Sequence, residues 1–175
     1  MDMVLDAAVL AQAARILAVL GDAGLRVVTA ESCTGGLVAG ALTQHGGSSD
    51  MVEGGFVTYS NDMKMAVLGV PRMLLERHGA VSAEVAGVMA EGALARAEKA
   101  DIAVAITGIA GPGGGSAAKP VGLVWFGVAA RRGGTRVVSG RFDGDRGAVR
   151  RQAVARALEL VGDCAASWGS VRPDV

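Results

Sequence analysis

Leu25-Arg26-Val27-Val28-Thr29-Ala30-Glu31-Ser32-Cys33-Thr34-Gly35-Gly36 is the stretch that decides how this chain is read. The run from Leu25 to Ala30 predicts a strand, and Gly35 to Thr43 predicts a helix that the chain reaches through Ser32 to Thr34. A helix start leaves its first backbone N–H groups without partners. Together with the helix dipole they stabilise negative charge, including an oxyanion formed by attack on a carbonyl. Ser32 would sit beside those donors, where a nucleophile is needed. An ordinary capping serine followed by packing glycines fits the same fragment.

Outward from this unit, strands and helices alternate. Leu10, Ala13, Leu17 and Leu20 fall on one face of a preceding helix that Gly24 ends. Gly55 to Ser60 predicts a second strand and Asp62 to Leu68 a short helix, with Pro71 opening another. Ser82 is a plausible cap for a helix reaching about Lys99, striped by Val85, Val88, Met89 and Gly92. The apolar run Ile102 to Ile106 predicts a central strand. Val121 to Ala130 and Thr135 to Phe142 predict two more strands, joined as a hairpin through Arg131 to Gly134. Asp145 opens a last helix to about Ala166, and residues 167–175 form a polar tail expected to fray. The expected fold is therefore α/β, three layers (α/β/α) around a mixed β-sheet.

Composition bounds the rest. A chain of 175 residues suits one domain with a sizeable core. Hydrophobic residues make up 51% of it, mostly Ala and Val, and there are 27 glycines, so close backbone packing is expected. Lys plus Arg and Asp plus Glu balance at 17 each, which gives no electrostatic footprint for nucleic acid. Cys33 and Cys164 are the only cysteines, too few for a disulfide framework and consistent with a reducing cytosol. With only His45 and His78 besides, a Cys/His metal site is not expected. The Met-Asp-Met start has no basic segment of a signal peptide, and no apolar run is long enough to span a membrane. A cytoplasmic location is expected.

Ser32 requires a base. Both histidines precede glycines and read as helix-end residues, so a Ser-His-Asp triad is poorly supported. A lysine can serve when burial lowers its pKa. Lys64 is the best candidate, because two parallel neighbouring strands would bring the segment Thr58-Tyr59-Ser60-Asn61-Asp62-Met63-Lys64 beside Ser32. Tyr59, the only tyrosine, could relay or orient a proton. The plainer reading of Lys64 is a solvated lysine on a short helix. Cys33 reads as a small buried hydrophobe, since no His is positioned to activate it.

Two further segments invite an anion. The loop Thr107-Gly108-Ile109-Ala110-Gly111-Pro112-Gly113-Gly114-Gly115 leaves a strand end, where glycines let N–H groups approach a phosphate or carboxylate. It lacks the spacing of a P-loop or a dinucleotide fingerprint, so no nucleotide cofactor is expected. A flexible loop explains its composition equally well. Arg146 sits in a first helical turn, where positive charge opposes the dipole unless it faces an anion. Arg150 lies one turn on and could share that face. A surface Arg146 paired with Asp143 or Asp145 is the alternative.

Taken in order, Thr-Ala-Glu-Ser-Cys-Thr-Gly-Gly from Thr29, Gly-Phe-Val-Thr-Tyr-Ser-Asn from Gly55, His-Gly-Ala-Val-Ser from His78, Thr-Gly-Ile-Ala-Gly-Pro from Thr107, Lys-Pro-Val-Gly from Lys119 and Gly-Asp-Arg from Gly144 closely resemble the CinA C-terminal domain family, the nicotinamide-nucleotide amidases. The resemblance runs from about Leu10 to Val161 and lacks the amino-terminal domain of two-domain CinA proteins, so it looks like the stand-alone form. It implies a single amidohydrolase domain over residues 1–175, with a core from about 10 to 166. It implies hydrolysis of nicotinamide mononucleotide to nicotinic acid mononucleotide and ammonia, with no metal or organic cofactor. Ser32, Lys64 and Tyr59 match the family's nucleophile, base and supporting tyrosine. Glu31, Cys33, Thr34, Gly35, Asn61, Thr107, Gly108, Ala110, Gly111 and Arg146 are the substrate-binding positions it implies. The expected partner is a small pyridine nucleotide, with neither nucleic acid nor membrane, and self-association into a homo-oligomer is expected. Two other classes share these motifs: a nucleotide-binding module without turnover, and an interaction protein acting in competence or DNA damage.

Overall fold

A computed structural model describes residues 5–168. Its elements run in the order α1 (Ala7–Ala23), β1 (Val27–Glu31), α2 (Leu37–Thr43), a 3-10 turn (Ser48–Asp50), β2 (Val52–Val57), α3 (Asn61–Leu68), α4 (Arg72–His78), α5 (Ala83–Arg96), β3 (Ile102–Gly108), β4 (Leu123–Ala130), β5 (Gly134–Arg141) and α6 (Arg146–Ser167). The sheet order is β2-β1-β3-β4-β5. β1 runs parallel to both β2 and β3, whereas β3–β4 and β4–β5 are antiparallel. The sheet is therefore mixed, with β3 at its centre, as the continuous apolar run predicts.

Alternation along the strands divides the core in two. Val27, Ile102, Val104 and Ile106 pack with α1, α2 and α6 on one face. Val28, Ala30, Ala103 and Ala105 pack with α5 and its neighbours on the other. These are the three layers expected. Small residues set how closely the elements pack. A Cβ at Gly127 of β4 would lie 2.2 Å from Ala86 O of α5, and one at Gly92 of α5 would lie 2.0 Å from Leu68 O.

Local signals place most helix starts. Asp6, Ser60, Ser82 and Asp145 each accept from an N–H three residues on, capping α1, α3, α5 and α6. Each such cap contributes about 1 kcal/mol. Gly24 ends α1 in the left-handed conformation.

Several boundaries move. β1 begins at Val27 rather than Leu25 and runs on to Glu31. α2 begins at Leu37, because Gly35 and Gly36 have φ of 62° and 97°, outside helical space. β2 lies three residues earlier than the pattern suggests, since Ser60 serves as the cap of α3. β4 begins at Leu123, after Gly122 at φ 90°. α5 stops at Arg96, and Arg131 gathers the carbonyls of Leu94, Ala97 and Glu98 there. Val9 rather than Leu10 completes the buried stripe of α1. The tail beyond Trp168 lies outside the described residues. Among the described residues, no helix is long and apolar enough to cross a membrane.

Candidate active site

The site forms where β1 and β2 end side by side. Their parallel pairing sets Glu31 opposite Val57, so the two chains leave the sheet together. Thr58 N donates to Glu31 O, and Ser32 N donates to Ile106 O of β3. The first residue past β1 is thus tied to the central strand before the chain turns.

Lys64 reaches this point from α3. Its Nζ lies 2.9 Å from Ser32 Oγ, 3.0 Å from Thr58 O and 3.0 Å from Tyr59 O. Ser32 is 8% exposed and Lys64 only 1%. Among the described residues no carboxylate pairs with Lys64. Burial lowers its pKa from the ordinary 10.5, because the ammonium form loses its water. The solvated-lysine reading is thereby set aside.

The Glu31 side chain turns into the fold. It is fully buried, and its carboxylate accepts from Gly36 N, Val38 N, Ala39 N and Thr29 Oγ1. It caps α2 from the strand behind it and neutralises the helix dipole internally. The Glu31 carboxylate is thereby occupied within the fold, and the N–H donors at the start of α2 are bonded inside the chain. Gly35 N is likewise spent, on Ser32 O at 3.1 Å. In the turn before α2, neither Cys33 N nor Thr34 N has an acceptor on another of the described residues.

Cys33 points into the core beneath α6. Burial pushes its thiol up to about 11, so it is an inert hydrophobe at neutral pH. Neither histidine touches Ser32 or Lys64. His45 bonds Leu10 O, and His78 faces Glu84.

A second group closes the site from α6. Arg146 donates to Gly111 O at 2.9 Å and to Tyr59 Oη at 3.1 Å. It bridges the glycine loop to the β2–α3 junction and pairs with neither Asp143 nor Asp145. The Tyr59 hydroxyl holds Arg146 and does not reach Ser32 or Lys64. Tyr59 meets the lysine through its main-chain carbonyl instead. Ala110, Pro112, Val121, Gly144 and Arg146 line a cleft of about 540 Å³. Gly108 lies against β4, where a Cβ would be 2.7 Å from Val124. Thr107 Oγ1 is buried and donates to Ala80 O. Asn61 is exposed at the start of α3 and lines a separate hollow with Asp62, Met65 and Arg72.

Sequence reasoning missed the contacts of three residues. The carbonyls of Thr58 and Tyr59 on Lys64 carry no side-chain signal. Lys119, which closes the glycine loop, donates to His78 O. Arg150 donates to Cys33 O and Thr34 O, and its spacing from Arg146 was the one available hint.

Comparison with known proteins agrees over most of the chain. Residues 10–165 match the CinA C-terminal domain. The chain is 55% identical over 138 residues to the nicotinamide-nucleotide amidohydrolase PncC of Escherichia coli, covering 79% of this chain and 83% of that one. It is 56% identical over 136 residues to the protein of the same name from Pseudomonas putida, covering 77% and 82%. The crystal structure of the competence/damage inducible protein CihA from Agrobacterium tumefaciens superposes with a TM-score of 0.86 at 49% identity, covering 92% of this chain and 97% of that one.

Proposed function

The chain belongs to the CinA C-terminal domain family, and from that premise we propose that it is a nicotinamide-nucleotide amidase acting through Ser32 and Lys64. The reaction converts nicotinamide mononucleotide and water to nicotinic acid mononucleotide and ammonia. The names of the Escherichia coli and Pseudomonas putida relatives support this substrate class.

The observation that carries the mechanism is the set of three neighbours around Lys64 Nζ. A neutral amine has two N–H bonds and one lone pair. Thr58 O and Tyr59 O can only accept, so they take both N–H bonds. The lone pair then faces Ser32 Oγ, the one neighbour with a proton to give. Burial without a carboxylate partner supports the neutral form.

Lys64 takes the Ser32 proton as Oγ bonds to the carboxamide carbon, and the carbonyl electron pair moves to oxygen. Thr34 N–H faces that oxyanion. As the tetrahedral centre collapses, Lys64 returns its proton to the departing nitrogen, which leaves as ammonia. Water then attacks the ester, with Lys64 as base. The acid is released and Ser32 regains a proton. The cationic pyridinium ring makes its own carboxamide more electrophilic. Arg146, at the rim of the cleft, faces the substrate phosphate. The scheme calls on no metal or organic cofactor.

Ammonia release from nicotinamide mononucleotide by the purified chain tests this reading. The native chain turns over and Ser32→Ala does not. Equal release by both removes Ser32 from the mechanism. Binding without release by the native chain favours a sensor module instead.

A further inference from the structure

We propose that Arg150 is a positioning residue: its guanidinium fixes the peptide planes on either side of Thr34, so that Thr34 N–H is aimed and strengthened as the oxyanion donor for Ser32. The inference rests on the amidase reading above and names a part of its machinery.

Arg150 reaches the nucleophile turn from α6, 117 residues along the chain from Cys33. Its Nε donates to Cys33 O and its Nη2 to Thr34 O, both at 3.1 Å. No carboxylate pairs with it among the described residues. Its charge is therefore directed at two consecutive carbonyls.

Peptide geometry carries the consequence. In a trans peptide the C=O and N–H point in opposite directions. Cys33 O shares a plane with Thr34 N–H, and Thr34 O shares one with Gly35 N–H. Pinning both carbonyls toward α6 turns both N–H groups away from it. Gly35 N–H duly lies on the opposite side, bonded to Ser32 O at 3.1 Å. Thr34 N–H is turned from Arg150 in the same way, yet finds no acceptor among the described residues.

Thr34 is fully buried, and buried backbone donors are nearly always paired. A fixed, unpaired donor next to the nucleophile is what stabilisation of a developing oxyanion requires. The guanidinium also polarises the Cys33 carbonyl, which makes the N–H of that same peptide a better donor.

Steady-state kinetics on nicotinamide mononucleotide test the assignment, using the native chain, Arg150→Ala, Arg150→Lys and Ser32→Ala. Removing an oxyanion donor costs about a hundredfold or more in kcat. Arg150→Ala should lose about that much with KM changed less than threefold. Added guanidinium chloride at millimolar concentration should restore at least tenfold. Arg150→Lys, which keeps the charge but not the two-pronged grip, should fall between. A native-like kcat in Arg150→Ala, or a loss confined to KM, overturns the proposal. So does a kcat loss that neither guanidinium nor lysine relieves. If Arg150→Ala does not fold, the Arg150→Lys split between kcat and KM decides alone. Full turnover by Ser32→Ala, or none by the native chain, brings down the amidase reading and this inference with it. A dead Ser32→Ala beside a native-like Arg150→Ala removes this inference only.

Discussion

Lys64 Nζ stands 2.9 Å from Ser32 Oγ, although 32 residues separate them in the chain. Neither residue is special in isolation. Their contact follows from one topological fact, that β1 and β2 are parallel neighbours whose ends coincide at Glu31 and Val57. Anything that shifts that register separates Lys64 from Ser32.

Lys64 should set the pH behaviour of both activity and stability. Its pKa is lowered from 10.5 by burial, so activity should rise with pH along a limb centred below 10.5. For stability, the unfolded chain holds a proton between the lowered value and 10.5 that the folded chain has shed. Unfolding there takes up a proton, so folding stability should rise with pH across that window. Lys64→Met should abolish turnover and flatten that slope. Rate profiles and urea titrations at several pH values check both parts. An unchanged slope in Lys64→Met contradicts the assignment.

Glu31 should matter to the fold before it matters to the chemistry. Glu31→Gln sets an NH₂ group against N–H donors of α2 and should cost about 3 kcal/mol. Urea denaturation of this variant against the native chain measures the loss. A variant as stable as the native chain would show that the three bonds to Gly36, Val38 and Ala39 do not hold the turn.

Arg146 is expected to act on binding. Arg146→Ala should raise KM for nicotinamide mononucleotide by about tenfold to a hundredfold, the value of a charge-assisted contact. With nicotinamide riboside, which lacks the phosphate, the same substitution should change KM little. Equal effects on both substrates would move the phosphate elsewhere.

Layer spacing is a separate test. Gly127→Ala puts a Cβ 2.2 Å from Ala86 O and should destabilise the chain by about 2 kcal/mol or more. Thermal unfolding reads this directly, and an unchanged midpoint would mean that α5 can shift away from β4.

Much of this was legible in the sequence because it depends on local patterns. The apolar run Ile102 to Ile106, the caps Ser82 and Asp145 and the stop at Gly24 each act within a few residues. The pairing of Ser32 with Lys64 followed from assuming neighbouring parallel strands. What stayed hidden depends on main-chain atoms meeting across the fold. Glu31 looks like any acidic residue before a serine until three N–H groups at the start of α2 converge on it. Tyr59 invites a role for its hydroxyl, yet its carbonyl is what touches Lys64. Arg150 shows its purpose only once α6 lies over the turn at Thr34.

The central claim is a covalent one, that Ser32 carries the acyl group. Rapid-quench mass spectrometry of the native chain mixed with nicotinamide mononucleotide tests it most directly. The account predicts an adduct of the substrate acyl group, mapped to the peptide containing Ser32. It should form together with a burst of ammonia and be absent from Ser32→Ala. Ammonia release that proceeds with Ser32 unmodified at every quench time, and persists in Ser32→Ala, would contradict it.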